Sequence, residues 1–180
     1  ANQVDRPIGS LVYTQFLDAR GGIVADVTVT RLGEERFRVV TGAGFLASDL
    51  AWLRHAVGDG QHVGLRDVSA DLATIGLWGP SARDVLGAAT TDDVSDGALP
   101  LREARWSQIS GCPVLASRIS YVGELGWELS TDASAAVGVW DALRAAGLAH
   151  GLEPIGYRAV DSLRMEKAYR YFGTDMTMLE

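Results

Sequence analysis

One cysteine among 180 residues leaves no partner for an intramolecular disulfide and too few thiolates for a cysteine-based zinc cluster. That cysteine, Cys112 in "SGCPVL", sits at a turn into an apolar run and reads as a packed small residue more than a reactive thiol. Histidine is also scarce. His55, His62 and His150 have no metal-ligand spacing, so no metal site is expected. Lys and Arg together number 16 against 23 Asp and Glu, for a net charge of −7. The basic residues form no stripe that could neutralise phosphates, and nucleic-acid binding is not expected. No apolar run approaches the roughly 20 residues a membrane helix needs. The opening "ANQVDRPIGS" lacks a basic region followed by an apolar stretch, so no signal peptide is read there and a cytoplasmic protein is the expectation.

What is present is an ordinary globular composition, 47% hydrophobic and 22% charged. The first third reads as β-structure. "SLVYTQFL" is followed by the Gly21-Gly22 turn, and "IVADVTVT" alternates so that Val27 and Val29 share a face. "RFRVVT" is the return strand, with Phe37 and Val39 in register. A helix then starts with Ser48 as N-cap, carries Leu50, Leu53 and Val57 at helical spacing, and closes at Gly58. "HVGLRDVS" and "LATIGLWG" read as a strand pair. A short helix opens at Pro80-Ser81, where Ser81 and Asp84 have capping-box spacing. "CPVLASRISYV" and "LGWELST" form a further β pair, and helices over about 132–146 and 157–169 end the chain. The expected fold class is α+β, with mainly antiparallel sheets and packed helices.

Gly42-x-Gly44-x-x-Ala47, between a strand and a helix, has the outline of a dinucleotide-binding turn, and Asp67 lies where a ribose ligand would be sought. The fingerprint needs a parallel strand and a crossover helix. Here the preceding strand reads as the second arm of a hairpin, so a structural turn is preferred and a nucleotide-binding domain through Gly42–Ala47 is kept as an alternative.

Two stretches carry more polar and aromatic groups than packing requires. In "YTQFLDARGGIVADVTV", Tyr13 and Asp26 stand on adjacent strands around the Gly-Gly turn, and Asp26 interrupts an apolar run although aspartate is a poor strand residue. It is either an edge or bulge position or a carboxylate placed at a pocket wall. In "SRISYVGELGWELSTD", Tyr121 and Glu128 flank a glycine-rich turn. If Trp127 faces the core, Glu128 points to the other face, either into solvent or into a site.

Four segments, "GGIVADVTVTRL", "GPSARDVL", "SYVGELGWEL" and "GYRAVDSLRMEKAYRYFGTDMT", together resemble the tetrahydrofolate-dependent aminomethyltransferase family: the glycine-cleavage T-protein and the folate domains of dimethylglycine and sarcosine dehydrogenases. They come in the family's order, and the third and fourth look most like the dehydrogenase branch. The resemblance implies one folate-binding domain over residues 1–180, with tetrahydrofolate as cofactor and 5,10-methylenetetrahydrofolate as product. It implies Asp26 as the catalytic carboxylate and Tyr13, Tyr121, Glu128, Arg158 and Arg164 as folate-binding residues. The implied partners are a small glycine-derived one-carbon donor and either a flavin dehydrogenase domain or a lipoyl carrier protein. The family's chain begins earlier and continues into a smaller C-terminal domain, so a fragment is expected, and a folate-binding or interaction module without turnover is an alternative. A sister group in iron–sulfur assembly carries Lys-Gly-Cys-Tyr near the last helix; "EKAYRYFG" lacks that cysteine.

Overall fold

A computed structural model of the chain describes residues 1–58 and 61–177. It divides into two compact units: residues 1–68 together with the segment from Tyr171 onward, and residues 69–170.

The first unit is built on a three-stranded antiparallel sheet in the order β1 (Leu11–Leu17), β2 (Ile23–Arg31), β3 (Phe37–Thr41). Val27 faces Thr14 on one side and Thr41 on the other, and Val29 faces Val39. Alternation then puts Ala25, Val27 and Val29 on one buried face, packed with Val4 and Phe16. Helix α1 (Leu46–Val57) is tied to that face: Phe16 stacks on Trp52 with centroids 4.8 Å apart, and Thr41 Oγ1 donates to the buried Asp49 carboxylate.

The helix differs from the expectation at its start. A 3₁₀ turn, Ala43–Phe45, begins the winding when Phe45 N–H bonds Gly42 C=O. The α-helix is under way at Leu46, and Ser48 Oγ bonds the Phe45 carbonyl instead of capping. The stripe is also rotated: Leu50, Leu53 and Val57 are half-buried, and Asp49 is the buried residue. Gly58 closes the helix with φ 65°. The glycine pair therefore joins an antiparallel edge strand to a helix; no parallel strand pair runs through it.

The second unit holds a four-stranded antiparallel sheet in the order β4 (Leu72–Trp78), β7 (Gly126–Asp132), β6 (Cys112–Ser117), β5 (Ala104–Ile109). One face is covered by α2 (Ala82–Ala89) and α3 (Ala136–Gly147), whose Val85, Leu86, Val139 and Leu143 pack with Leu77, Val114, Trp127 and Leu129. Cys112 packs at the margin of this core, as its sequence context implied. Helix α4 (Tyr157–Glu166) follows and ends earlier than expected.

Three expectations fail here. "HVGLRDVS" forms no strand: none of residues 61–68 is buried, and β4 pairs with β7 instead. Asp67 thus stands at no strand end. Ser81 precedes α2 but makes no side-chain cap, so the capping box is not formed. Strand β5 has no apolar alternation to reveal it, because it is an edge strand with Arg105, Ser107 and Gln108 along it. It is set by a tight turn in which Ser110 and Gly111 both have positive φ (52° and 74°), the backbone of a type I′ hairpin.

An electrostatic clamp holds the loop between α2 and β5. Arg83 and Arg118 both donate to Asp96 at 2.6 Å. Arg118 also bonds the Leu99 carbonyl and Arg83 the Val94 carbonyl. Their guanidinium carbons lie 6.0 and 5.4 Å, respectively, from the ring of the fully buried Trp127. The hydrogen bond from Arg118, reinforced by the charges of both arginines, holds the Asp96 carboxyl below its ordinary pKa. A depressed folded-state pKa stabilises the fold above the unfolded value and loses that contribution as pH falls through the folded one. Asp96→Asn is therefore expected to lower the melting temperature at pH 7, with the gap to the parent closing as pH drops below about 4. Scanning calorimetry across pH checks this; a gap independent of pH would mean that geometry, not charge, is what Asp96 contributes.

Candidate functional site

In the first unit the Gly-Gly turn is organised by Asp18, a residue that no sequence pattern marks. Asp18 accepts the N–H groups of Arg20 and Gly22 on Oδ1, both at 2.8 Å, and its own N–H bonds the Gly22 carbonyl. Those backbone donors, Gly22 first, hold its carboxyl below the ordinary value. Gly21 has φ 86°, and a Cβ at Gly22 would meet the Asp18 carboxylate at 3.3 Å. The turn delivers β2 in a register that places Asp26 opposite Gln15 and Thr28 opposite Tyr13. Tyr13, Gln15, Asp26 and Thr28 thus share the face opposite the Ala25–Val27–Val29 core. Asp26 is half-buried, and Gln15 Nε2 donates to its Oδ1 at 3.0 Å. Tyr13 is 46% exposed. The structure therefore brings Tyr13 and Asp26 together on one sheet face, with Gln15 as a positioning donor. Gln15's two-residue step from Tyr13 was the available signal.

In the second unit Trp127 and Leu129 are fully buried among the helices, so Glu128 points to the opposite sheet face. It is half-buried, in register with Gly76 of β4 on one side and Ser117 of β6 on the other. This mid-sheet carboxylate is flanked by a small hydroxyl on one side and, on the other, by Gly76, over which the Trp78 ring lies.

Tyr121 is half-buried in the turn before β7. Its hydroxyl donates to the Arg170 carbonyl at 3.1 Å, and its ring lies against Tyr169, centroids 6.4 Å apart. The same turn is pinned by a Lys167–Glu124 ion pair of 2.9 Å. That pair raises the Lys167 pKa, chiefly through the hydrogen bond to Glu124. Glu124 is thus a tether. Gly123 has φ 72°, and a Cβ there would strike the Lys167 side chain at 2.5 Å.

The two arginines of α4 separate. Arg158 is exposed at the first turn. Arg164 is 5% exposed; its Nε and Nη2 reach Asp161 Oδ1 at 2.8 Å and its Nη1 donates to the Tyr169 carbonyl at 2.9 Å. It ties the end of α4 to the segment that carries Tyr169.

Comparison with known proteins gives this arrangement a class, an antiparallel α+β domain of the aminomethyltransferase type. The glycine cleavage system aminomethyltransferase T from Bartonella henselae superposes with a TM-score of 0.78 at 28% identity, over 96% of this chain and 44% of that one. The family model of the GCVT N-terminal domain matches residues 1–179, and the chain belongs to that family. It is 42% identical to 4-methylaminobutanoate oxidase (formaldehyde-forming) of Paenarthrobacter nicotinovorans, over 96% of this chain and 21% of that protein. It is 35% identical to human mitochondrial dimethylglycine dehydrogenase, over 94% and 20%. Against the aminomethyltransferase of Saccharopolyspora erythraea it is 35% identical, over 98% and 47%. The chain thus spans about a fifth of the oxidase and dehydrogenase relatives and just under half of the aminomethyltransferases. The α+β expectation and the resemblance read from four segments are both borne out.

The geometry of α4 yields an expectation for its arginines. Arg164→Met should cost about 1–3 kcal/mol of stability, the scale of the charge-assisted hydrogen bonds lost with a buried guanidinium. Arg158→Met should cost less than about 0.5 kcal/mol, as exposed substitutions do. Urea unfolding of both variants decides; an Arg164 variant as stable as the parent would release that guanidinium for a role in ligand binding.

Proposed function

We propose that this chain is the folate-binding part of a one-carbon transfer enzyme, in which Glu128 orients a reduced pterin and Asp26 serves the chemistry. The observation that carries the reading is Glu128 itself. A half-buried carboxylate stands in mid-sheet on the face away from the helices, between Gly76 and Ser117, in a chain that belongs to the GCVT N-terminal domain family. The donor set fits the group. A reduced pterin presents a ring N–H and an exocyclic amine side by side, and one carboxylate accepts both. That pairing discriminates against analogues lacking the edge, since they would leave the carboxylate unmatched.

Tetrahydrofolate, when bound, supplies the nitrogen that takes up the one-carbon unit. The chain's own residues would hold and orient it. Asp26 Oδ1 is engaged by Gln15, which fixes the carboxylate plane and presents Oδ2 to take up a proton or to face developing positive charge. Tyr13 on the same face and Tyr121 in the second unit offer flat surfaces for aromatic rings. Exposed Arg158 suits an acidic group, such as a glutamyl tail. Arg164 would act through the support it gives the segment after α4. Holding the reacting atoms together accounts for much of the expected rate gain.

The one-carbon donor is proposed to be an N-methylated amino acid after oxidation, or an aminomethyl group delivered on a carrier. Relatives named for dimethylglycine, sarcosine and 4-methylaminobutanoate match this same segment. That fits a donor chosen outside the segment and a common acceptor within it. The electrons removed in such an oxidation would pass to a dehydrogenase component, with 5,10-methylenetetrahydrofolate as the product here.

Glu128→Gln is expected to weaken binding of a reduced folate by about 1–3 kcal/mol, the scale of a lost charge-assisted pair. Calorimetry with equal affinities for parent and variant would remove Glu128 from the site. Asp26→Asn preserves size and one acceptor but removes basicity. It should keep the fold and most folate affinity while lowering methylenetetrahydrofolate formation by roughly 10²–10⁴-fold. Undiminished turnover in the full-length protein would reduce Asp26 to a strand residue.

A further inference from the structure

Trp78 ends strand β4, and the sheet beneath it has been cleared of side chains. A Cβ at Gly76 would fall 2.5, 2.7 and 2.8 Å from Cη2, Cζ2 and Cζ3 of the Trp78 ring, and one at Gly126 would strike the Leu77 carbonyl oxygen first and then the ring's Cδ1 at 2.5 Å. Three atoms of the six-membered ring are thus almost equidistant from the vacant position above Gly76, so the ring lies face-down on the sheet instead of standing on edge. The indole spans from Gly126, its direct cross-strand neighbour, to Gly76 two residues back along its own strand. Its Nε1–H donates to the Ile119 carbonyl at 3.3 Å, which fixes the ring's rotation. Trp78 is half-buried, and among the described residues no aromatic ring or guanidinium stacks on it.

Glu128 is the cross-strand partner of Gly76. The indole's six-membered ring and the carboxylate therefore rise from neighbouring points on one sheet face, with backbones about 5 Å apart. A flat aromatic surface beside a carboxylate is what a planar heterocycle with two adjacent N–H donors needs: one contact for its face and one for its edge. Any residue other than glycine at 76 would lift the ring off the sheet and out of that alignment.

We propose that Trp78 is a specificity-determining residue, the stacking platform for the fused heterocycle whose N–H edge Glu128 accepts. The inference rests on the folate reading of Glu128 and adds to it a residue that selects flat ligands. Ligands that present a flat aminopyrimidinone ring would be retained, and acyclic analogues with the same hydrogen-bonding edge would bind more weakly.

The test uses the full-length protein labelled with 5-fluorotryptophan and 5-formyltetrahydrofolate as a stable reduced folate. Trp78→Phe assigns the Trp78 resonance. On titration that resonance is expected to shift more than those of Trp52, Trp106 and Trp140. In calorimetry Trp78→Phe, which keeps a ring, should bind within about 3-fold of the parent, and Trp78→Leu should bind about 10-fold or more weakly. Folate binding with an unmoved Trp78 resonance, or with Trp78→Leu equal to the parent, overturns the platform and leaves Glu128 in place. No folate binding by the parent overturns both. Should Trp78→Leu fail to fold, the resonance in the parent protein decides alone.

Discussion

Strand β7 turns its large apolar side chains to the helix-packed face and Glu128 to the other, and the second unit depends on that alternation. Trp127 and Leu129 are fully buried against α2 and α3, and burying them fixes the register of β7 against β4 and β6. A slip of one residue would send both into the opposite face and bring the Glu128 carboxylate toward the core, where burying a charge is costly. The clamp of Arg83, Arg118 and Asp96 over the Trp127 ring adds to the same constraint. The position of the Glu128 carboxylate is thus a by-product of where two large apolar side chains must go.

The first unit solves a similar problem with a turn. Asp18 collects the N–H groups of Arg20 and Gly22, and the turn it closes sets which residues of β1 and β2 face each other. With Ala25, Val27 and Val29 inward, Asp26 is directed to the other face, where Gln15 meets it. In both units a carboxylate that would be unwelcome in a core is held firmly by apolar neighbours on either side of it in sequence. Such placement keeps a charged group on a rigid element, which favours a defined orientation over a flexible one.

Much of this architecture is legible in the order of the amino acids. The strands at 11–17, 23–31 and 37–41 follow from alternation and the Gly-Gly turn. The assignment of Trp127 inward and Glu128 outward follows from the same rule. The four family-like segments lead to the correct fold class. The helix between Ser48 and Gly58 is legible too, but its packed stripe is not. Asp49 is drawn inside by a hydrogen bond from Thr41 on another element, a partnership that hydropathy cannot express. The strand expected over 62–69 does not form, because β-propensity carries no information on whether a pairing edge is available; β7 takes the place beside β4.

Sequence alone sets the alternating strands, the glycine turns, the class of fold and the two carboxylates that interrupt apolar runs. These depend on local periodicity and on the intolerance of a core for charge. Tertiary packing settles the rest: which strands pair, that Arg164 is buried on Asp161 and the Tyr169 carbonyl while Arg158 stays exposed, and that Trp78 lies flat over two glycines beside Glu128. Gly76 and Gly126 are 50 positions apart in the chain. Only the antiparallel register of β4 and β7 sets them under one ring, because a sheet brings together residues by hydrogen-bond pairing and not by their order.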